Sequence, residues 1–247
     1  MNTSSKIINT DCFDELPNIE SGSISLILID PPYLISKSSG FSNISNATSK
    51  EMATKYGSIS IDFGEWDKGE LDWDLLFKEY YRILKDSGTL IIFYDVWKSS
   101  NIKFFADKYK FNQPRVGQWQ KTNPVPINSK VNYLSNSIEF FFSFVKGKNP
   151  TFNSKYDNAV YKYPICHGIE RTEHPTQKPL SLIKDLILKH SNPGDLVLDT
   201  FAGSGTTGEA CQLLDRNFIL IEKDKNYFEI IKNRLEKNST KSNLDNI

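Results

Sequence analysis

Ile24-Ser25-Leu26-Ile27-Leu28-Ile29 is a run of almost wholly apolar residues that stops at Asp30-Pro31-Pro32-Tyr33. Its length and its branched side chains suit a strand buried on both faces, the setting of a parallel sheet covered by helices. Pro32 has no N–H and forces Pro31 into an extended backbone, so neither strand nor helix continues past this point. A carboxylate, two carbonyls and an aromatic ring are thus presented together at the carboxyl end of a strand. In open α/β sheets that edge is where ligands bind.

The rest of the chain repeats the same grammar. Short apolar or alternating runs at 6–10, 89–93, 137–145, 196–198 and 217–222 read as further strands. Between them lie helical patterns. Asp11-Cys12-Phe13-Asp14 opens a helical turn, and Asp72 caps a helix bearing Trp73, Leu76, Phe77, Tyr80 and Leu84. Ile102, Phe105, Ala106 and Tyr109 mark the next helix; Pro179 starts one carrying Leu182, Ile183, Leu186 and Ile187. Ala210, Leu213 and Leu214 belong to another, and an amphipathic helix over 226–237 precedes a polar tail, 238–247. Strands alternating with helices at this rhythm imply an α/β fold with a doubly wound, mostly parallel sheet. Residues 36–60, dense in Ser, Asn, Thr and Lys, read as a mobile loop, either a cover for Tyr33 or a solvated linker. Residues 62–67 read as a turn with two aromatic anchors.

The acceptors gathered at Asp30 suit one kind of substrate group. An exocyclic amine on a nucleobase is a poor nucleophile because its lone pair is delocalised into the ring. Acceptors on both N–H bonds localise that pair, and Asp30 with the Pro31 carbonyl offers two. Tyr33 would stack on the base, worth roughly 1–3 kcal/mol. A plain turn satisfies the same four residues.

Thirty basic and 30 acidic residues cancel, so no global field draws nucleic acid to this chain. A local one is present: over 110–171, nine basic residues stand against Glu139, Asp157 and Glu170, with Trp119, Tyr133, Phe152, Tyr156, Tyr161 and Tyr163 interleaved. That pattern suits a nucleic-acid surface or an ordinary solvated face over core strands. Cys12, Cys166 and Cys211 are too scattered for a disulfide framework or a zinc site, and the three histidines lack ligand spacing, so no metal is expected. Without a leader-like segment or an apolar run of about 18 residues, the expectation is a cytoplasmic protein with no membrane partner.

Gly203-Ser204-Gly205-Thr206-Thr207-Gly208 follows a strand, opens a helix and has Glu222 nineteen residues after its first glycine. This matches a dinucleotide fingerprint. Asp199 beside the loop argues against it, because a carboxylate there repels a pyrophosphate. A cationic, phosphate-free ligand such as S-adenosylmethionine would be accepted, with Glu222 on its ribose hydroxyls.

Asp30-Pro-Pro-Tyr33, then His174-Pro-Thr-Gln-Lys-Pro179, then Asp199-Thr-Phe-Ala-Gly-Ser-Gly205 together resemble the amino-methylating DNA methyltransferases of restriction-modification systems and phages, in the order of their β group. The resemblance spans about 6–237. It implies a circularly permuted, Rossmann-like methyltransferase fold in a single domain: a catalytic half at 6–126, a target-recognition segment at 127–171 and a cofactor half at 172–237. It implies S-adenosylmethionine as cofactor, held by Asp11, Cys12, His174, Thr176, Lys178, Asp199, Phe201, Gly203, Ser204, Gly205, Thr206 and Glu222. In that scheme Lys178 pairs with the donor's carboxylate and Asp11 takes the adenine amine; a helix cap is the alternative for Asp11. Catalysis falls to Asp30, Pro31, Pro32 and Tyr33, and Trp119, Lys121, Asn123 and Lys130 lie along the DNA. The implied reaction is methyl transfer to the N6 of an adenine flipped out of double-stranded DNA, with cytosine N4 and then RNA as alternatives. A cognate restriction endonuclease and a homodimer enter by analogy alone.

Overall fold

A computed structural model describes residues 5–32, 71–124 and 136–244, with side chains as far as 238. Tyr33, Lys130, the loop expected at 36–60 and the turn at 62–67 lie outside the described residues. The chain divides into a main unit, up to Pro31 and from Asp72 onward, and a second unit, Pro32–Leu71, of which Pro32 and Leu71 alone are described.

The main unit is built on one eight-stranded sheet. Its strands are β1 (Lys6–Asn9), β2 (Ile24–Ile29), β3 (Leu84–Phe93), β4 (Asn112–Lys121), β5 (Ile138–Val145), β6 (Val160–Tyr163), β7 (Leu196–Asp199) and β8 (Asn217–Glu222). They lie in the order β1-β8-β7-β2-β3-β5-β4-β6. β5 runs antiparallel to both of its neighbours, and every other pairing is parallel. The doubly wound, mostly parallel sheet expected from the sequence is therefore present. All six residues of β2 are buried, as a central strand between two helical layers requires.

Among the described residues, six α-helices accompany these strands: α1 (Cys12–Glu15), α2 (Trp73–Ile83), α3 (Ser99–Lys108), α4 (Leu180–His190), α5 (Thr206–Leu213) and α6 (Lys225–Leu244). Asp72 caps α2 by accepting from Leu75 N at 2.9 Å. One face of the sheet, with Leu26, Leu28, Ile91, Phe93, Trp119 and Phe141, packs against Leu182, Ile183, Leu186 and Ile187 of α4 and against Ala210, Cys211, Ile231 and Leu235 of α5 and α6. On the other face Phe77 of α2 meets Phe105, Phe111 and Phe144 edge-on or stacked.

Several boundaries differ from the sequence reading. Leu84 begins β3 rather than ending α2, because Ile83 already completes the buried stripe. Leu213 is exposed; Cys211 takes the core position on α5. The expected polar tail is helical to Leu244, since no Gly or Pro follows Lys225 to stop the helix. β4 and β6 are strands beyond those expected from the sequence. β4 contains Pro114, is bulged between Asn112 and Arg115, and lacks an apolar period.

Candidate active site

The strand order reverses between β7 and β2. From β2 the chain moves outward to β3, and from β7 it moves the opposite way to β8. Leu26 pairs with Val197 and Ile27 with Leu198 across this switch. Asp30, one residue past β2, and Asp199, the last residue of β7, therefore share one sheet edge, although 169 positions separate them in sequence. A crevice at such a point is the usual ligand site of an open parallel sheet.

The loop after β7 is tied down on every side. Ala202 N donates to Ile221 O of β8 at 3.1 Å, and Gly203 N donates to Glu222 Oε2 at 2.7 Å. Glu222 Oε1 also accepts from Asp224 N at 2.8 Å. Gly203 has φ +52°, and a Cβ there would stand 2.8 Å from His174 Nε2, so the glycine is required both for backbone hand and for room. The His174 ring packs on Tyr227 at 4.6 Å. Its Nδ1 is buried without a partner, and burial, reinforced by Lys178 and Arg234, lowers its pKa to about 4. His174 thus stands neutral against the glycine loop. Thr176 is exposed beside it, and Phe201 is half-buried.

Asp199 is 5% exposed, accepting from Phe201 N at 3.0 Å and from Thr207 Oγ1 at 2.6 Å. Burial raises its pKa to about 7, in spite of those hydrogen bonds and with Asp30 and Glu222 adding to the rise. Asp11 caps α1 through Phe13 N at 3.0 Å, and its other oxygen meets Lys223 at 2.9 Å. The helix cap is thus made. Cys12 is buried, and burial with Asp11 nearby pushes its thiol up to about 12. Asp11, Glu222 and Asp199 end or follow three consecutive strands of the sheet. This carboxylate set would repel a pyrophosphate. It suits a cationic ligand bearing hydroxyls, as a methylsulfonium nucleoside is.

Lys178 is placed differently from the sequence expectation. Its ammonium is 7% exposed, pairs with Asp30 Oδ2, lies 3.2 Å from Glu139 Oε2 and stands 5.1 Å over the Phe93 ring. Burial pulls its pKa down, but the two carboxylates outweigh that and hold it above the ordinary lysine value. A buried ammonium needs counter-charges from the protein itself, and these two supply them. Glu139 also meets Lys121 at 2.7 Å, giving the alternating chain Asp30, Lys178, Glu139, Lys121.

Trp119, expected along the DNA, is instead a core residue. It is 2% exposed, and its indole Nε1 donates to Tyr163 O at 2.8 Å. Its position opposite Glu139 in the β4–β5 register aims it into the layer beneath α4. Asn123 Oδ1 accepts from Ile165 N at 2.7 Å, which holds the end of β4 to the chain leaving β6.

Sequence reasoning missed Glu139 and Arg234. Arg234 donates to Thr206 Oγ1 at 2.7 Å and to Ser204 Oγ at 3.4 Å, and pairs with Glu209 at 3.1 Å, so both loop hydroxyls are oriented from α6. A signal existed in each case: Glu139 is the lone acid in the apolar run of β5, and Arg234 sits on the same helical face as Ile231 and beside Leu235.

Among the described residues no helix is long and apolar enough to cross a membrane, and no cluster of His, Cys, Asp or Glu could hold a metal ion. A family model described as DNA methylase matches residues 24–233. The Type II methyltransferase M.HinfI of Haemophilus influenzae is 32% identical over 255 residues, covering 93% of this chain and 67% of that protein. The Type II methyltransferase M2.MboI of Moraxella bovis is 30% identical over 250 residues, covering 92% and 86%. The crystal structure of an M1.HpyAVI–SAM complex aligns with TM-score 0.68 at 30% identity over 93% of this chain and 98% of that one. The PvuII DNA methyltransferase, described as cytosine-N4-specific, shares the fold at TM-score 0.70 and 18% identity, over 96% and 91%.

Proposed function

The chain belongs to the N6/N4 DNA methylase family, and from that premise we propose that it methylates the exocyclic N6 of an adenine rotated out of double-stranded DNA. When bound, S-adenosylmethionine supplies an electrophilic methyl group on a sulfonium cation. Asp199, Glu222 and Asp11, with the loop Phe201, Gly203, Ser204, Gly205 and Thr206, are the residues we assign to hold it, together with His174, Thr176 and Cys12. The observation that carries the reading is the meeting of Asp30 and Asp199 at the switch point of the sheet.

Asp30 accepts one N–H of the amine and the Pro31 carbonyl the other, which returns the nitrogen lone pair from the ring and aims it along the line of transfer. Tyr33 stacks on the extruded base, and Pro32 fixes the turn that presents it. Holding and orienting the amine would account for most of the acceleration, without a covalent enzyme intermediate. Asp as the first motif residue supports adenine over cytosine. Asn123 and Lys130 border the DNA in this reading, with the segment 127–171 reading its sequence, whereas Lys121, 15% exposed at its side chain and paired with Glu139, belongs to the ion chain beside Asp30. A cytoplasmic location, a cognate restriction endonuclease and a homodimer accompany the reading by analogy with the family.

Purified protein, labelled S-adenosylmethionine and unmethylated DNA, followed by nucleoside mass spectrometry, test this. The expected product is N6-methyldeoxyadenosine. Asp30→Ala should reduce its formation by a factor of ~10³ or more while donor binding persists. N4-methyldeoxycytidine would replace the base assignment, and no methylated nucleoside would overturn the reading.

A further inference from the structure

We propose that Glu139 is a positioning residue for methyl transfer, acting through Lys178 to hold the Asp30 carboxylate as a fixed, ionised acceptor. This rests on the function proposed above. The argument begins from burial. Lys178 is 7% exposed, so its ammonium has lost most of its hydration and is stable only between carboxylates. Asp30 provides one contact and Glu139 the other, at 3.2 Å. Glu139 is itself anchored: its second oxygen meets Lys121 at 2.7 Å, and Lys121 lies 5.3 Å over the Trp119 ring.

Backbone register makes this chain rigid. Glu139 is opposite Trp119 and Phe141 is opposite Phe93, so β3, β4 and β5 fix where the Glu139 carboxylate stands. Lys178 comes from the segment just before α4, where Glu170 Oε1 accepts from Leu180 N at 2.6 Å and Gln177 bonds to Thr172 and Glu170. Two independently anchored elements thus converge on the Lys178 ammonium, which meets Asp30 Oδ2 just past the end of β2.

Why does Asp30 need such support? It is followed by two prolines, neither of which has an N–H to donate, and its charge adds to the raised pKa of the buried Asp199. Two carboxylates at one sheet edge repel. Lys178 offsets that repulsion through its pairing with Asp30 Oδ2, and Glu139 keeps Lys178 there and charged. Without Glu139, the Lys178 ammonium keeps one carboxylate contact and is held less firmly against Asp30. Loss of alignment by about 1 Å costs on the order of 10²-fold in rate.

The test is single-turnover methyl transfer to DNA by Glu139→Gln, Lys121→Gln and the double variant, with donor and DNA affinities measured alongside. Glu139→Gln should lower the transfer rate ~10- to 100-fold and leave both affinities within about twofold. The double variant, which removes a neutral pair and strands no charge, should be as slow as Glu139→Gln, and Lys121→Gln much less affected. A Glu139→Gln rate within twofold of wild type overturns the proposal. So does recovery in the double variant, because the defect would then be an unpaired Lys121. Should the single variant fail to fold, the double variant read against Lys121→Gln decides in the same way. An inactive wild-type chain would bring down the methylation reading as well, whereas active wild type with active Glu139→Gln brings down this inference alone.

Discussion

Burial makes Asp199 a far weaker acid than an ordinary aspartate, partly ionised near neutral pH. Its folded pKa of about 7 lies above the unfolded value near 3.8, so between these pH values the folded chain binds more protons than the unfolded one. Stability from this group is therefore greatest below about pH 4 and is lost as pH rises toward 7. Asp199→Asn removes that loss while keeping an acceptor for Phe201 N and a polar group for Thr207. The variant should gain roughly 1–3 kcal/mol at pH 8 by denaturant titration and bind S-adenosylmethionine at least ~10-fold more weakly by calorimetry. A donor affinity equal to wild type would remove Asp199 from the cofactor site. Asp199 and Glu222 were legible in the sequence because each ends an apolar strand beside a glycine loop. Glu139 was not, because its partners lie 18 and 39 residues away and only strand register and the path into α4 unite them.

At the scale of the element, β4 shows how a strand escapes sequence reading. Its residues satisfy three partners at once: β5 on one side, β6 on the other and the α4 layer beneath. Gly117 lies opposite Phe141, whose ring occupies the space a Cβ would need, so the missing side chain is itself part of the packing. Trp119 then serves the core rather than a bound nucleic acid. Trp119→Phe keeps a ring in that layer and removes the bond to Tyr163 O, so it should cost about 1 kcal/mol in denaturant titration. DNA affinity of the folded variant should stay within twofold of wild type; a tenfold loss at unchanged stability would return Trp119 to the DNA face. The helices were easier to read. Asp72, Pro179 and the four apolar positions of α4 carry start signals and period in contiguous sequence.

For the whole molecule, equal numbers of acidic and basic residues leave the pH dependence of stability to a few buried groups. His190 closes α4 against the Phe152 ring at 5.0 Å, with Nδ1 buried and without a partner. Burial lowers its pKa to about 4, with Asp157 working in the opposite direction. The unfolded chain takes up this proton near pH 6.5 and the folded chain does not, so stability is lost as pH falls from about 6.5 toward 4. His190→Gln should flatten the stability profile over that window by up to about 1.4 kcal/mol per pH unit relative to wild type, measured by urea unfolding at several pH values. Superimposable slopes would mean that His190 ionises freely in the fold. The basic segment 110–171 is likewise altered by folding. Lys121 is matched by Glu139, whereas Lys148, Lys155 and Lys162 remain exposed.

The sequence by itself determined the architecture and the family, because these rest on local information: short apolar strands, helix starts, a proline-terminated strand at Asp30 and a glycine loop after Asp199 with Glu222 at the right distance. It also singled out Asp11, Asp30, Asp199 and Glu222 one by one, though not Glu139. Only the tertiary structure decided which of them meet. Strand order brings Asp30 beside Asp199, and β4–β5 register carries Glu139 to Lys178 and turns Trp119 inward. Chain direction and periodicity record what each residue prefers, whereas pairing across a sheet is a long-range balance of burial and charge that no single segment contains.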